Sequence, residues 1–514
     1  MKDTILFFYP DAKAGNIIPP YAFLYLERTI RDINLKIIIL DEHFDVHWKE
    51  TIQDELSRTL IACTTVMMGE QITGAREFSM YIKQKSAVPV IWGGWFPTWQ
   101  PEVCLNESYV DFITMGQGEA AFAELIHMLI NAPISTEPHL LKGIGGLGYK
   151  VQSEICINRH YNFKDFDNYP SLNFDLIEIP KYIDHTKDGG KVFRYLSSAG
   201  CPYHCSFCFI PLGWKGKWFP KSVDTVINEV KQIISNAPQI NYLSFEDLNF
   251  FVDHKRVIDI CNGFIDNNIN ISWCATTHVK TFLQQYDDND IELLKKAGLD
   301  CIIVGAESGD QSLLNQVNKQ LQISEIFDFI RILDDHEIKT SWSFMVLFPT
   351  EPGKDLNKTL KLIMQMFLKT RKSTLLYVAS VYWPATKSSF YQIALQKGFE
   401  QPKDLISYIK IANEGAVFPW HKASHLRKLK YFGMFYFRFY KYNNPGKPDG
   451  KEWFLEKIFS LVFRPFILLR FRLKYVGFPF AGWLYCLIFK NKIDREGYFT
   501  PKANRSVTYQ IQNY

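Results

Sequence analysis

Three cysteines lie within eight residues, in the sequence Cys201-Pro-Tyr-His-Cys205-Ser-Phe-Cys208, directly after the strand-like run 192–196. Iron-sulfur cubanes normally take four cysteine thiolates. A loop that offers three therefore suggests a 4Fe-4S cluster with one iron left open for a ligand that is not protein. The alternatives are a zinc site with His204 as the fourth ligand, or a group of buried thiols.

The length of 514 residues predicts about three domains, at about 100–200 residues for each domain. The seven other cysteines are scattered without the regular spacing of a disulfide framework, which suits a reducing cytosol. The first ten residues contain too short an apolar run for a signal peptide. We therefore expect a cytoplasmic protein.

The first 132 residues alternate strand and helix patterns in the order of a parallel, doubly wound sheet. Five apolar runs are each about as long as one buried strand. They are residues 4–9, 35–40, 60–66, 88–92 and 110–114. We predict an α/β protein in which residues 1–134 form a Rossmann-like domain.

Loops that follow three of these strands are rich in glycine. They contain Gly69, then Gly93 and Gly94 with Thr98, then Gly116 and Gly118 with Glu119. Doubly wound sheets bind ligands beyond the carboxyl ends of their strands, where glycine allows close approach of the backbone. Glycines that merely end strands are the plainer interpretation of this pattern taken alone.

Residues 135–191 are predicted to connect this domain to the next. Residues 143–148 match GxGxxG, but the dinucleotide interpretation requires a preceding strand and a following helix. Residues 149–152 continue instead as an alternating strand, so we expect a hairpin at 141–160. An extended linker is expected at 161–190.

Strand and helix patterns alternate again over residues 192–395, which indicates a partial (β/α) barrel. Barrel active sites gather at the C-terminal ends of strands, where the cysteine loop lies. Two more strand ends carry acidic residues, Glu246-Asp247 and Glu307-Ser308. A carboxylate at a strand end can accept a charge-assisted hydrogen bond from a ligand ammonium. A helix cap or turn is the plainer interpretation of the Glu-Asp pair.

The cysteine spacing, with these strand ends and Lys319, resembles the signature of the radical S-adenosylmethionine (SAM) enzymes. Segments 347–351 and 382–386 are similar to two further motifs of that family, each with its glycine replaced. The resemblance implies that the three cysteines hold the cluster and that SAM fills the open iron site. It also implies release of a 5'-deoxyadenosyl radical and an external electron donor of flavodoxin or ferredoxin type.

By the same resemblance, Glu246 or Asp247 receives the SAM ammonium, and Glu307 with Ser308 positions the rest of SAM. Phe207 is then the aromatic residue beside adenine, where stacking contributes modestly. Relatives usually carry an arginine at the end of the third barrel strand, where this chain has His278 and Lys280. The donor to the SAM carboxylate therefore stays open.

The N-terminal glycine loops look like the cobalamin-binding domain found ahead of many radical SAM modules. This implies that Gly69, Gly93, Gly94, Thr98, Gly116, Gly118 and Glu119 bind cobalamin. Many cobalamin domains supply a histidine to cobalt from a DxHxxG motif, which residues 41–46 match only in part because Val46 replaces the glycine. We expect His43 to be a surface or loop histidine and cobalt to have no histidine ligand from the protein.

Residues 396–514 are predicted to form a helical, basic and aromatic-rich region, with 18 Lys and Arg against 5 Asp and Glu over 421–514. The apolar runs 461–469 and 475–489 are shorter than the ~20 residues of a spanning helix. Peripheral binding to anionic lipid and a helical cap on the barrel are the two interpretations. We expect no nucleic-acid partner, since no recognised module is present.

We therefore expect a cobalamin-dependent radical SAM enzyme that methylates an unactivated carbon of a small-molecule or lipid-like substrate. A cobalamin-dependent radical cyclase or rearrangement enzyme has the same scaffold. The non-enzymatic alternative is a zinc-stabilised, membrane-associated scaffold.

Overall fold

The computed structural model contains two seven-stranded sheets and a two-stranded ribbon. It describes residues 2–13, 17–131, 138–161, 163–186, 189–350, 352–370, 375–386, 388, 390–414, 418–437 and 450–489.

The first sheet has the strand order β2-β1-β3-β4-β5-β6-β7. Its strands are β1 Thr4–Tyr9, β2 Lys36–Asp41, β3 Thr59–Thr65, β4 Val90–Gly93, β5 Phe112–Thr114, β6 Leu147–Val151 and β7 Glu154–Ile157. The helices around it are α1 Tyr21–Glu27, α2 Trp48–Glu55, α3 Gln71–Lys85, α4 Trp95–Trp99, α5 Pro101–Leu105, α6 Glu119–Asn131 and α7 Pro138–Leu141. Strands β1 to β5 are parallel, as the sequence predicts, and each begins within two residues of its predicted position.

Strand β1 is almost entirely buried because helices cover both faces of the sheet. Leu6 and Phe8 lie in one apolar cluster, with residues of α2 and α3. Ile5 and Phe7 lie in another, with residues of α1 and α6. Successive side chains of a strand point to opposite faces, so a doubly covered strand reads as a continuous apolar run.

The predicted hairpin is present as β6 and β7, but it belongs to the first sheet. Strand β6 pairs antiparallel with β5, and β7 pairs antiparallel with β6. The predicted boundary at 134/135 therefore cuts off two strands of the N-terminal sheet. The GxGxxG segment ends in this hairpin, so the dinucleotide interpretation does not apply.

The second sheet has the order β16-β15-β14-β13-β12-β9-β8 and forms the predicted partial barrel. Its strands are β8 Ile183–His185, β9 Lys191–Tyr195, β12 Tyr242–Phe245, β13 Ser272–Thr277, β14 Leu299–Glu307, β15 Lys339–Val346 and β16 Leu375–Val381. A separate ribbon pairs β10 Ser198–Gly200 with β11 Trp218–Pro220. Strands β9 to β16 of the sheet are parallel, and β8 is an antiparallel edge.

The helices of this half begin with α8, which follows the cysteine loop. They are α8 Ile210–Trp214, α9 Val223–Asn236, α10 His254–Asp266, α11 Val279–Gln285, α12 Asp288–Lys296, α13 Gln311–Gln316, α14 Ile323–Asp335, α15 Pro352–Lys369, α16 Tyr391–Gln396, α17 Leu405–Glu414, α18 Ala423–Tyr431, α19 Gly450–Arg472 and α20 Phe480–Ile488. A π-helical turn, Phe432–Phe437, continues α18.

The linker and the C-terminal helices both pack into the barrel core. Phe166 and Phe174 of the linker belong to one apolar cluster with Tyr25 of α1. Phe471 of α19 and Tyr485 of α20 belong to the same cluster. The predicted linker is therefore a packed part of the interface between the two sheets. Among the described residues, no helix is both long and apolar enough to cross a bilayer. Residues 438–449 and 490–514 of the predicted basic tail lie outside the described residues.

Candidate functional site

The cysteine loop lies between β10 and α8, at the C-terminal end of the first parallel barrel strand. Gly200 precedes it with φ +80°, and a Cβ there would collide with the carbonyl of Lys217. The Ser206 N–H donates to Val317 O at 2.8 Å, and the Phe390 N–H donates to Ser206 O at 3.1 Å. These bonds tie the middle of the loop to two other parts of the barrel.

The three thiols are largely enclosed. Burial raises the pKa of Cys201, Cys205 and Cys208, to about 12 for Cys208, and the ammonium of Lys319 partly offsets this for Cys201 and Cys205. A metal that binds a thiol displaces its proton, so iron can bind these cysteines as thiolates although their pKa values are raised. Three enclosed thiols on one short loop fit an iron-sulfur cluster.

Within the described residues, no three His, Cys, Asp or Glu side chains are close enough together to hold one metal ion. In a cubane each thiolate binds its own iron, so the sulfurs of Cys201, Cys205 and Cys208 need not converge on one point. The donor set therefore fits a cluster better than a single zinc ion, whose four ligands must converge.

Glu246 and Asp247 are adjacent but have different surroundings. Asp247 is 2% exposed, and its carboxylate accepts from the Ser197 N–H at 3.0 Å and from the hydroxyls of Ser197 and Ser198. Glu246 lines a cavity and accepts from Arg194 Nη1 at 2.7 Å and Ser244 Oγ at 2.8 Å. Asp247 thus anchors the segment before the cysteines, while Glu246 faces open space.

Glu307 and Ser308 are also adjacent but have different partners. The Ser308 hydroxyl is fully buried and donates to Asp355 Oδ1 at 2.6 Å. Glu307 has φ +63° at an irregularity in the β14–β15 pairing, and its carboxylate pairs with Lys319 Nζ at 3.3 Å. The Glu307 carboxylate therefore lies close to the cysteine loop, because its partner Lys319 also acts on the thiols of Cys201 and Cys205.

The remaining predicted barrel residues are partly committed to packing. His278 is buried, hydrogen-bonds through Nε2 to Lys319 O at 2.8 Å and stacks on Tyr203 with ring centroids 4.3 Å apart. Burial lowers the pKa of His278 to about 4, so it is neutral and supplies no cation for a carboxylate. Phe207 is partly buried against an apolar cluster that includes Phe348.

A cavity of about 350 Å³ lies at the carboxyl ends of the first sheet. Six of the seven predicted loop residues line it, namely Gly93, Gly94, Thr98, Gly116, Gly118 and Glu119. Gly69 is not among the lining residues. Four residues from the barrel side complete the wall, namely Leu196, Ala199, Trp214 and Glu246.

The glycine loops have little room for side chains. Gly94 has φ +94°, and a Cβ there would lie 2.8 Å from Thr65 Oγ1. The Thr98 hydroxyl donates to Gly94 O at 2.7 Å and accepts from the Gly116 N–H at 3.0 Å. Thr98 thus links two glycine loops, and bare backbone forms part of the cavity wall.

Glu119 is held by a buried cation. Its carboxylate accepts from Arg28 Nη2 at 3.4 Å, and burial raises its pKa against the opposing effect of Arg28. The Arg28 guanidinium also lies over the rings of Tyr25 and Phe166. Glu119 therefore connects the first sheet to α1 and the linker as well as lining the cavity. His43, by contrast, is half-exposed and does not line it.

The two loop systems meet directly. Trp99 of α4 lies 4.1 Å from the ring of Phe209, the residue after Cys208, and Trp95 lies 5.5 Å from it. A Cβ on Gly213 of α8 would lie 2.7 Å from the Trp95 ring. Arg194, Trp95 and Trp214 were not predicted as site residues. Their positions depend on contacts between segments about 50 to 120 residues apart, which a local motif cannot reveal.

This arrangement defines a class of protein: an α/β enzyme with a ligand cavity on a Rossmann-like domain, packed against a partial barrel whose cysteine loop suits an iron-sulfur cluster. Family models match both halves. The Radical SAM superfamily model matches residues 195–363, and the B12 binding domain model matches residues 11–126.

Relatives agree with both matches. An uncharacterised methyltransferase of Pyrococcus horikoshii is 26% identical over 74% of this chain and 80% of its own length. An anaerobic magnesium-protoporphyrin IX monomethyl ester cyclase of Synechocystis sp. is 22% identical over 74% of each chain. In fold, the chain is similar to the radical SAM methyltransferase TsrM of Kitasatospora setae (TM-score 0.60, 16% identity, 77% and 78% covered). It is also similar to the cobalamin-dependent radical SAM enzyme OxsB (TM-score 0.65, 15% identity, 95% and 75% covered).

The chain therefore contains both a radical SAM domain and a B12-binding domain, as the sequence motifs predict. The two matches support the predicted cofactors, a 4Fe-4S cluster with SAM for the barrel and cobalamin for the N-terminal domain.

Proposed function

We propose that this protein transfers a methyl group to an unactivated carbon of its substrate. The observation that carries the proposal is the shared cavity, whose wall combines the glycine loops of the B12-binding domain with barrel residues beside the cysteine loop. When bound, the cluster and SAM supply a 5'-deoxyadenosyl radical for hydrogen abstraction, and methylcobalamin supplies the methyl group. The protein's own residues orient these groups and exclude water.

We assign Cys201, Cys205 and Cys208 to the cluster. Lys319 lies beside them with its ammonium 3.3 Å from Glu307 Oε1, in a buried environment. A fixed cation offsets the negative charge that three thiolates bring into a site of low dielectric. Lys319 therefore favours the thiolate forms that iron requires.

For SAM, the surroundings favour Glu246 over Asp247 as the acceptor for the ammonium. The carboxylate of Glu246 faces the cavity, whereas that of Asp247 is taken up by two serines. We assign Glu307 to SAM positioning together with Lys319. Ser308 then acts through its buried bond to Asp355, which keeps the strand end in place. Phe207 stays a prediction as the residue beside adenine.

For cobalamin, we assign the six glycine-loop residues that line the cavity, and we leave Gly69 as a prediction. The wall combines bare glycine backbone with aromatic side chains such as Trp95 and Phe166. Such a surface suits a large, mostly apolar macrocycle. The structures of TsrM and OxsB, which were solved with cobalamin bound, share this fold.

The substrate that we propose is small and apolar or lipid-like, and the electron donor is an external protein of flavodoxin or ferredoxin type. A peripheral position at a membrane would bring such a substrate within reach. The basic, aromatic tail motivates this part of the proposal.

Iron content tests the cluster assignment. Anaerobically reconstituted protein should contain about four irons per chain, and Cys205→Ala should lose them. Cys261→Ala is the matched control, because Cys261 is buried on α10, away from the loop. One zinc per chain, or full iron loading in Cys205→Ala, would refute the assignment.

Isotope transfer tests the reaction. The reconstituted protein is incubated with reductant, cobalamin, methyl-deuterated SAM and an anaerobic cell extract as the acceptor pool. We expect 5'-deoxyadenosine to form together with a product that is heavier by the labelled methyl group. Deoxyadenosine without transferred label would favour a radical cyclase or rearrangement enzyme, in line with the cyclase relative.

A further inference from the structure

The C-terminal helical hairpin exposes an unusual amount of apolar surface. Of the 22 large hydrophobic side chains exposed among the described residues, 13 lie between Leu455 and Ile488. Soluble monomers rarely expose a contiguous apolar surface of this kind without a function for it. This hairpin consists of α19, the turn 473–479 and α20.

Helix α19 is apolar on two faces. One face packs into the barrel core through Ile467 and Phe471, which are almost fully buried. The other face carries a stripe at spacings of three and four residues, which places its members on one side of the helix. The stripe consists of Leu455, Ile458, Val462, Phe466, Leu469 and Leu473, all exposed. Among the described residues, packing therefore accounts for only one of the two faces.

The end of the hairpin continues this surface and is held firmly. The Arg470 guanidinium lies over the rings of Phe432 and Tyr436, and it donates to Gly477 O at 2.5 Å and to Phe478 O at 3.1 Å. These contacts fix the turn while Leu473 and Phe478 stay 67% and 61% exposed. A rigid turn that presents large apolar side chains suits insertion into another apolar phase.

The charges around this surface are mainly positive, since residues 450–489 contain six Lys and Arg against two acidic residues, Glu452 and Glu456, near the start of α19. Residues 457–489 contain five Lys and Arg and no Asp or Glu. Arg472 and Lys474, at the end of the hairpin, are exposed. Apolar side chains bordered by cations complement an anionic lipid surface, where headgroups attract the cations and acyl chains accept the apolar groups.

We propose that the α19–α20 hairpin seats this protein on an anionic membrane surface. The apolar stripe and the exposed side chains of the turn enter the headgroup boundary, and the basic residues contact lipid phosphates. The hairpin lies in the interface without crossing the bilayer. This inference does not depend on the reaction that the active site performs.

Vesicle flotation of the full-length protein tests the proposal. We expect the protein to float with vesicles of phosphatidylcholine and phosphatidylglycerol in a 3:1 ratio, and to float at least tenfold less with phosphatidylcholine alone. Each basic residue near an anionic surface changes the partition about fivefold. The double variant Arg472→Glu/Lys474→Glu should therefore lower partition by about 25-fold or more.

The apolar contribution is tested by the double variant Leu473→Ser/Phe478→Ser, which should lower partition at least tenfold. Val46→Ser is the matched control, since Val46 is equally exposed but lies in the N-terminal half. Iron content should be unchanged in every variant, which shows that the fold is intact. Equal binding to neutral vesicles, or unchanged binding in either double variant, would overturn the proposal. The proposal would also be overturned if the protein were a dimer in solution and Leu473→Ser/Phe478→Ser converted it to a monomer without changing flotation.

Discussion

A buried ion pair tests directly how the linker is joined to the barrel. Glu229 of α9 accepts from Lys221 Nζ at 2.6 Å, Tyr195 OH at 2.7 Å and the Leu172 N–H at 3.0 Å. Both charged side chains are 1% exposed. One carboxylate thus joins the linker to the first parallel barrel strand and, through Lys221, to the end of strand β11, which follows the cysteine loop.

Glu229→Gln keeps the shape of the side chain and removes its charge, which leaves the Lys221 ammonium buried without a counterion. Removing one partner of a buried pair costs about 3–5 kcal/mol. For a domain of about 150–250 residues, 1 kcal/mol corresponds to about 2–4 °C in the thermal midpoint. We therefore expect the midpoint of the barrel, measured anaerobically, to fall by about 6–20 °C.

Two further variants sharpen the test. Asp259→Asn breaks the exposed pair with Lys255 on α10 and should cost less than about 1 kcal/mol. Lys221→Met combined with Glu229→Gln removes both charges, keeps an amide oxygen as acceptor for Tyr195 OH and the Leu172 N–H, and should recover most of the lost stability. A shift in Glu229→Gln no larger than that in Asp259→Asn would refute the reasoning.

The pH dependence of the same variant follows from linkage. Burial lowers the pKa of Lys221, so the unfolded chain binds its proton more tightly than the folded chain does. Stability then rises with pH, and the deficit of Glu229→Gln should shrink between pH 7 and pH 9.

Two other predictions concern the strand ends. Thr98→Ala removes the hydroxyl that links Gly94 and Gly116, and loss of its two hydrogen bonds should cost about 1–3 kcal/mol in the stability of these loops. We therefore expect cobalamin to bind about tenfold more weakly or worse, measured by absorbance titration with hydroxocobalamin. Thr98→Ser should retain binding, and equal affinity in the alanine variant would contradict the role. Burial raises the pKa of Asp355 to about 7, so its stabilising contribution is complete below about pH 4 and is lost as pH rises to 7. Asp355→Asn should flatten that part of the curve of thermal midpoint against pH, and an unchanged slope would contradict the assignment.

Strands such as β1 and β3 of the first sheet were predictable because each is covered on both sides and so reads as a short apolar run. The membership of β6 and β7 in the first sheet was not predictable. The alternating pattern of a hairpin does not indicate which sheet edge it pairs with. Here that edge is β5, more than 30 residues earlier in the chain.

The candidate site was likewise predictable from the sequence only in part. Motif order was enough to single out the cysteine loop and the glycine loops, and six of the seven predicted loop residues line one cavity. Sequence alone left Glu246 and Asp247 equivalent. Their difference arises from Arg194 and Ser197, about 50 residues earlier, which engage one carboxylate each.

The amino-acid sequence by itself determined which segments form strands and which side chains have the chemistry for a cluster, because periodicity and spacing are local properties of the chain. The tertiary structure decided which of those side chains face open space, how Trp95 and Trp99 meet Phe209, and which face of α19 packs into the barrel core. Those outcomes depend on partners far apart in the chain, whose contacts exist only after the two sheets pack together.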